Sequence, residues 1–106
     1  MAALPNVLQF EWDKGNVEKN VIAHGVTSRE AEEVFLHEPN FIVEDVKHSL
    51  TEPRFMLWGM TDLGRSLTII FTIRGKNIRI ISARDMHKKE RRRYEKEIQE
   101  NSKIQH

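Results

Sequence analysis

The most constraining stretch of this 106-residue chain runs from Leu67 to Arg84. Two β-rich runs, Leu67 to Ile73 and Asn77 to Arg84, are joined by Arg74-Gly75-Lys76-Asn77, a sequence suited to a tight hairpin connection. Facing Ile73 with Ile78 sets Phe71 against Ile80 and Ile69 against Ser82. Leu67, Ile69, Phe71, Ile73, Ile78 and Ile80 then share one side, the core side. Thr68, Thr72, Arg74, Arg79 and Ala83 share the other, with Ile70 and Ile81 among them. Strand side chains alternate with period two, so a one-residue slip would bury Arg79, and the register is well specified. Arg84 follows the other parity and stands at the strand end, beside the expected last helix.

The non-core side of this hairpin has two arginines, two threonines and a small apolar centre. Such a face suits a phosphodiester, because a guanidinium offers a planar fork of donors and stays charged. The competing reading is an ordinary solvent-exposed sheet face. Charge is distributed unevenly behind the formal net of +1. Residues 1–53 hold 4 basic and 10 acidic groups, a net of −6, whereas residues 74–93 hold 9 basic and 2 acidic groups, a net of +7. A dense basic segment after an acidic half is the footprint of a surface that meets phosphate, or else of a solvated charged helix.

The other elements are placed around this hairpin. Residues 1–9 read as an extended lead-in. A first helix is expected from Asp13, a good N-cap, to His24, with Gly25 just beyond its end and Val17, Val21 and Ile22 as its stripe. Thr27-Ser28-Arg29-Glu30 spells a capping box that opens a second helix with Ala31, Val34 and Phe35 on one face and Pro39 after its end. Phe41 to Glu44 reads as a strand, residues 46–53 as a loop, Arg54 to Met60 as a second strand and Asp62-Leu63-Gly64-Arg65 as a turn. Beyond Asp85 the chain reads as a helix with Tyr94 and Ile98 on one face, and residues 99–106 as a polar tail. The predicted fold is α+β: two N-terminal helices, a four-stranded antiparallel sheet with helices over one face, and a C-terminal helix. One domain is expected over residues 1–106, with its core in 9–97.

Composition narrows the chemistry. There is no cysteine, hence no disulfide and no thiolate ligand. His24, His37, His48, His87 and His106 form no H-x-H or H-E-x-x-H pair, so no metal ligand set is expected. The five glycines are scattered rather than gathered in a phosphate loop, and no serine sits in a nucleophile elbow. No apolar run approaches the roughly 20 residues of a membrane span, and residues 1–9 have no signal-peptide pattern, which together lead to an expectation of cytoplasmic location. RNA cleavage stays open to such a chain, because RNA supplies its own 2′-hydroxyl nucleophile. The protein then has to orient it, accept its proton and stabilise a charged phosphorane. His24, His48 and Glu52 are candidate proton carriers. The plainer readings are a helix cap for His24 and an exposed loop residue for His48.

A set of ordered blocks carries a family resemblance over roughly residues 9–97. They are Phe10-Glu11-Trp12-Asp13, Asn20, His24-Gly25-Val26, Glu30-Ala31, Val34-Phe35, Glu52 with Arg54-Phe55, Gly59, Arg74 after Phe71-Thr72, Ile78 to Arg84, Glu90-Arg91 and Tyr94. In this order they resemble the BrnT family. The resemblance implies a RelE-like microbial ribonuclease fold and a metal-independent endoribonuclease that inhibits translation, with no cofactor. It also implies an antitoxin partner resembling BrnA, with a ribbon-helix-helix part that reaches operator DNA. Arg79 and Arg74 are the first candidates for catalysis, followed by Arg54, His48, Arg84 and His24. Lys76, Lys88, Lys89, Arg91 and Arg92 are candidates for RNA binding. Two other readings remain open: a non-catalytic nucleic-acid-binding or interaction module, and a basic helix, Lys88 to Arg93, that docks an acidic antitoxin segment.

Overall fold

Asp13 caps the first helix as its position suggests, its Oδ1 accepting the Asn16 N–H at 3.1 Å. The computed structural model describes residues 9–44 and 52–104, leaving aside the side chains of 18–22 and 101–104. In chain order the elements are β1 (Gln9–Glu11), α1 (Lys14–His24), α2 (Ser28–Leu36), β2 (Phe41–Glu44), β3 (Phe55–Met60), β4 (Ser66–Arg74), β5 (Asn77–Asp85) and α3 (Lys88–Ile104). Gly25 ends α1 with φ +64°, a left-handed conformation that favours glycine. The capping box at α2 is complete: Glu30 N–H donates to Thr27 Oγ1 at 3.2 Å and Thr27 N–H to Glu30 Oε1 at 3.1 Å. The expected α1 stripe residues Val21 and Ile22 lie outside the described side chains.

The sheet differs from the expected four antiparallel strands. It has five strands in the order β1-β5-β4-β3-β2, and β1 pairs parallel to β5 with Phe10 beside Ile78 and Glu11 beside Arg79. A three-residue edge strand joined to a partner some 70 residues later leaves only a trace in sequence, here the polar-apolar-polar Gln9-Phe10-Glu11. The helices also do not share one face. The first core gathers Val26, Ala31 and Val34 against Ile42, Leu57, Leu67, Ile69, Phe71, Ile78, Ile80 and Ala83. A second core of Phe41, Trp58 and Tyr94, with Met56, Met60, Met86 and Ile98 around it, brings α3 onto the opposite face.

The β4–β5 register holds as expected near the turn and then shifts. Ile73 pairs with Ile78 and Phe71 with Ile80, but Ile70 pairs with Ser82 and Ile69 with Ala83 rather than Ser82. Ile81 is the extra residue of a β-bulge, and parity inverts beyond it. The bulge places the methyl group of Ala83, not the Ser82 hydroxyl, in the first core, where Ala83 is fully buried. It also brings Arg84 opposite Thr68, onto the same face as Thr72 and Arg79. Both departures from the expected parity, Ala83 outward and Arg84 opposed to Arg79, are thereby corrected.

Aromatic rings run across the first core. Phe10 meets Phe35 at 5.2 Å between centroids, Phe35 meets Phe71 at 5.0 Å, and Phe71 stacks with Phe55 at 5.4 Å. Full burial of the Phe71 ring contributes on the order of 1.5–3 kcal/mol, and the partly buried Phe10, Phe35 and Phe55 contribute less. Gly59 lets α2 approach β3: a Cβ there would lie 2.8 Å from Val34 Cγ1 and 3.1 Å from Asn40 Cβ. On the second face the Tyr94 hydroxyl donates to the Pro39 carbonyl at 2.6 Å, and burial pushes its pKa up. Among the described residues no helix is long and apolar enough to cross a membrane.

Candidate active site on the arginine face

Arg79 leaves β5 on the second face, opposite Thr72 on β4 and beside Glu11 on β1. Its guanidinium meets Asp13 Oδ2 at 2.8 Å and Glu11 Oε1 at 3.3 Å. The side chain is 19% exposed, enough to be reached and too enclosed to swing freely. Arg74, at the end of β4, is 51% exposed and meets Glu52 Oε2 at 3.3 Å and Glu11 Oε1 at 3.6 Å. One carboxylate oxygen of Glu11 thus links the two arginines. The hairpin that brings Arg74 and Arg79 together is set by the alternation of β4 and β5, as the sequence predicts.

Backbone contacts fix the rest of this corner. Asn16, almost fully buried, donates from Nδ2 to the carbonyls of Glu11 and Ile80, each at 3.1 Å. It therefore clamps β1 and the start of α1 to β5 near the bulge. The Thr72 hydroxyl donates to the Pro53 carbonyl at 2.6 Å and holds the segment that carries Glu52 and Arg54 over β4. Arg54 is half-buried and directly precedes Phe55, whose ring belongs to the first core; strand alternation puts Arg54 on the side of Met56, the second face. A small cavity of about 170 Å³, lined by Gly15, Asn16, Arg79, Ile80 and Ile81, opens beside Arg79.

The electrostatics follow from these pairs. The Arg79 guanidinium and the Asn16 backbone N–H hold the Asp13 carboxyl below its usual pKa, and Asp13 in turn raises that of Arg79. A phosphate entering this corner meets two cations already aligned by carboxylates, and has to share them.

The other sequence candidates are placed elsewhere. Arg84 stands toward the far end of β5, 24% exposed, and grips Glu90 at 2.7 and 3.2 Å. Burial would raise the Glu90 pKa, but Arg84 and the His87 backbone N–H outweigh it and hold Glu90 at about 2. Trp58 Nε1 also donates to Glu90, at 3.4 Å. This cluster anchors the start of α3. His24 is exposed at the end of α1, and its backbone carbonyl accepts from Arg65 at 3.2 Å. His48 lies outside the described residues. Lys76 is exposed in the hairpin turn next to Arg74, and Lys88, Lys89, Arg91 and Arg92 are exposed along α3. Arg93 lies over the Trp58 ring, 5.4 Å from its centroid.

Glu11 and Asp13 were not singled out as site residues by sequence, where Asp13 read as a helix cap and both stood in the opening block Phe10-Glu11-Trp12-Asp13. That block, two acids one residue apart before a helix, was the signal that could have pointed to them. Arg65 was missed as well: it pairs with Asp85 through two hydrogen bonds, 2.8 and 3.1 Å, and with Glu30 at 3.2 Å. Among the described residues no group of three or more His, Cys, Asp or Glu side chains is placed to hold a metal ion.

Residues 12–90 match a family described as the ribonuclease toxin, BrnT, of type II toxin–antitoxin systems. Comparison with individually curated proteins gives no match.

Proposed function

Because the chain belongs to the BrnT family of ribonuclease toxins of type II toxin–antitoxin systems, we propose that it cleaves RNA without a metal ion, at the corner formed by Arg79 and Arg74. Membership makes a protein antitoxin its partner. The finer proposals are that cleavage of RNA halts translation, and that the antitoxin resembles BrnA and carries a ribbon-helix-helix part.

The observation that carries the reading is the pairing of Arg79 and Arg74 on one sheet face, linked by the shared Glu11 carboxylate, with Asp13 on Arg79 and Glu52 on Arg74. Two guanidiniums aimed at one point bind a phosphodiester and gain strength as charge builds on the phosphorane. They supply the stabilisation that a metal ion would otherwise give. RNA brings the nucleophile, so the protein need add only a base and a proton for the leaving oxygen.

The test is cleavage of a defined RNA by purified chain, freed of antitoxin, in EDTA. The expected products end in 2′,3′-cyclic phosphate or 3′-phosphate. Arg79→Ala is expected to slow cleavage more than tenfold while the protein stays folded. Intact RNA at micromolar protein would overturn the proposal, and restoration of cleavage only by added divalent cation would overturn its metal-free part.

A further inference from the structure

We propose that Glu11 is the general base of this reaction, taking the proton of the attacking 2′-hydroxyl; the assignment rests on the RNA-cleaving reading above. Glu11 is the carboxylate that reaches both arginines, through Oε1, at 3.3 Å from Arg79 and 3.6 Å from Arg74. In a geometry ready for attack the 2′-oxygen lies about 3–3.5 Å from phosphorus, so the base has to stand beside the groups that hold the phosphate. Glu11 stands there on a rigid support. Its backbone lies in β1, in register with Arg79, and its carbonyl is clamped by the buried Asn16 side chain. Its side chain remains one-third exposed, so substrate can reach it.

The neighbouring carboxylates fit other tasks. Asp13 lies closest to Arg79, at 2.8 Å, and also accepts the Asn16 N–H, which makes it a weak base and a firm holder of Arg79. Glu52 meets Arg74, at 3.3 Å, and is the rival for the base.

The step balances as follows. Glu11 accepts the 2′-hydroxyl proton as the bond from 2′-oxygen to phosphorus forms. The bond from phosphorus to the 5′-oxygen breaks, and the departing oxygen takes a proton from water. The products are a 2′,3′-cyclic phosphate and a 5′-hydroxyl, and Glu11 returns its proton to solvent.

The experiment is single-turnover cleavage of a defined oligoribonucleotide between pH 4 and 9 by wild type, Glu11→Gln, Glu52→Gln, Asp13→Asn and Arg79→Ala. Folding is checked by circular dichroism, and binding by a 2′-deoxy-substituted oligonucleotide that cannot be cut. Glu11→Gln is expected to bind this oligonucleotide within about fivefold of wild type, to cleave roughly 10²–10⁴-fold more slowly, and to lose the acidic limb of the pH profile. Asp13→Asn is expected to slow cleavage while keeping that limb, because it loosens Arg79 and leaves the base in place. Cleavage by Glu11→Gln within threefold of wild type, or loss of the acidic limb in Glu52→Gln instead, would overturn the assignment. If Arg79→Ala also cleaves at the wild-type rate, the site itself is misplaced; if wild type leaves RNA intact, the ribonuclease reading falls and the base with it.

Discussion

Arg65 shows at the scale of one residue how distant parts of the chain are tied. It follows the β3–β4 turn and forms a two-bonded pair with Asp85 on β5. It also meets Glu30 on α2, and it donates to the carbonyls of His24 and Gly25 at 3.2 and 2.9 Å. Those carbonyls belong to the end of α1, where helical partners run out. Arg65→Ala is expected to destabilise the fold by about 1–2 kcal/mol in urea denaturation, a modest figure because Asp85 is largely solvent-exposed. Arg65→Lys should recover less than half, since an ammonium cannot reproduce the planar fork. Arg65 was illegible in sequence, where it ends a turn motif, because its partners lie 20, 35 and 40–41 residues away. Arg74 and Arg79 were legible for the opposite reason: a local period of two decides which face each takes. Two of their acidic partners were not, since Glu11 and Asp13 reach them through a parallel pairing across the whole chain, whereas Glu52, the partner of Arg74, was already a candidate in the sequence.

At the scale of the element, α3 depends on a partly buried ion pair. Glu90 is both the N3 residue that accepts the His87 N–H, at 2.8 Å, and the partner of Arg84. Its folded pKa is about 2 against an ordinary 4.5. A carboxylate depressed in this way adds stability that is complete above about pH 4.5 and is lost as pH falls toward 2. The full difference corresponds to about 3 kcal/mol. Wild type is therefore expected to lose stability relative to Glu90→Gln as urea denaturation is moved from pH 6 to pH 3. A difference between the two that does not change with pH would remove Glu90 as the cause. The sequence pattern of Tyr94 and Ile98 announced a helix with one apolar stripe but not the face it would cover. That choice is made by Phe41 and Trp58, which meet on neighbouring strands. The bulge at Ile81 was hidden for a similar reason, because Ile80-Ile81 offers two alike side chains for one core position and only the pairing partner selects between them.

At the scale of the whole molecule, the basic segment divides into two populations with different tasks. Arg74, Arg79 and Arg84 are held by carboxylates on the sheet, so part of their charge is already balanced. Lys88, Lys89, Arg91 and Arg92 are exposed on α3, and of these Arg91 pairs only loosely with Glu95, at 3.7 Å between two well-exposed side chains. Exposed cations act at long range and through counterion release; on the proposed reading Arg79 and Arg74 hold one phosphate, while Arg84 anchors α3 through Glu90. The two groups should therefore separate in a salt titration. For single-stranded RNA the logarithm of affinity falls with the logarithm of salt by about 0.7 for each phosphate neutralised. With an uncleavable 2′-deoxy-substituted oligonucleotide, replacing Lys88, Lys89, Arg91 and Arg92 together by alanine is expected to reduce that slope by about 2–3. Arg79→Ala is expected to reduce it by less than 1, while producing the larger fall in cleavage at saturating RNA. A helix variant whose salt slope matches wild type would take these four residues out of RNA binding. The α3 surface would then fall to the antitoxin, and capture of co-expressed antitoxin by the same variant, weakened or not, would decide that assignment.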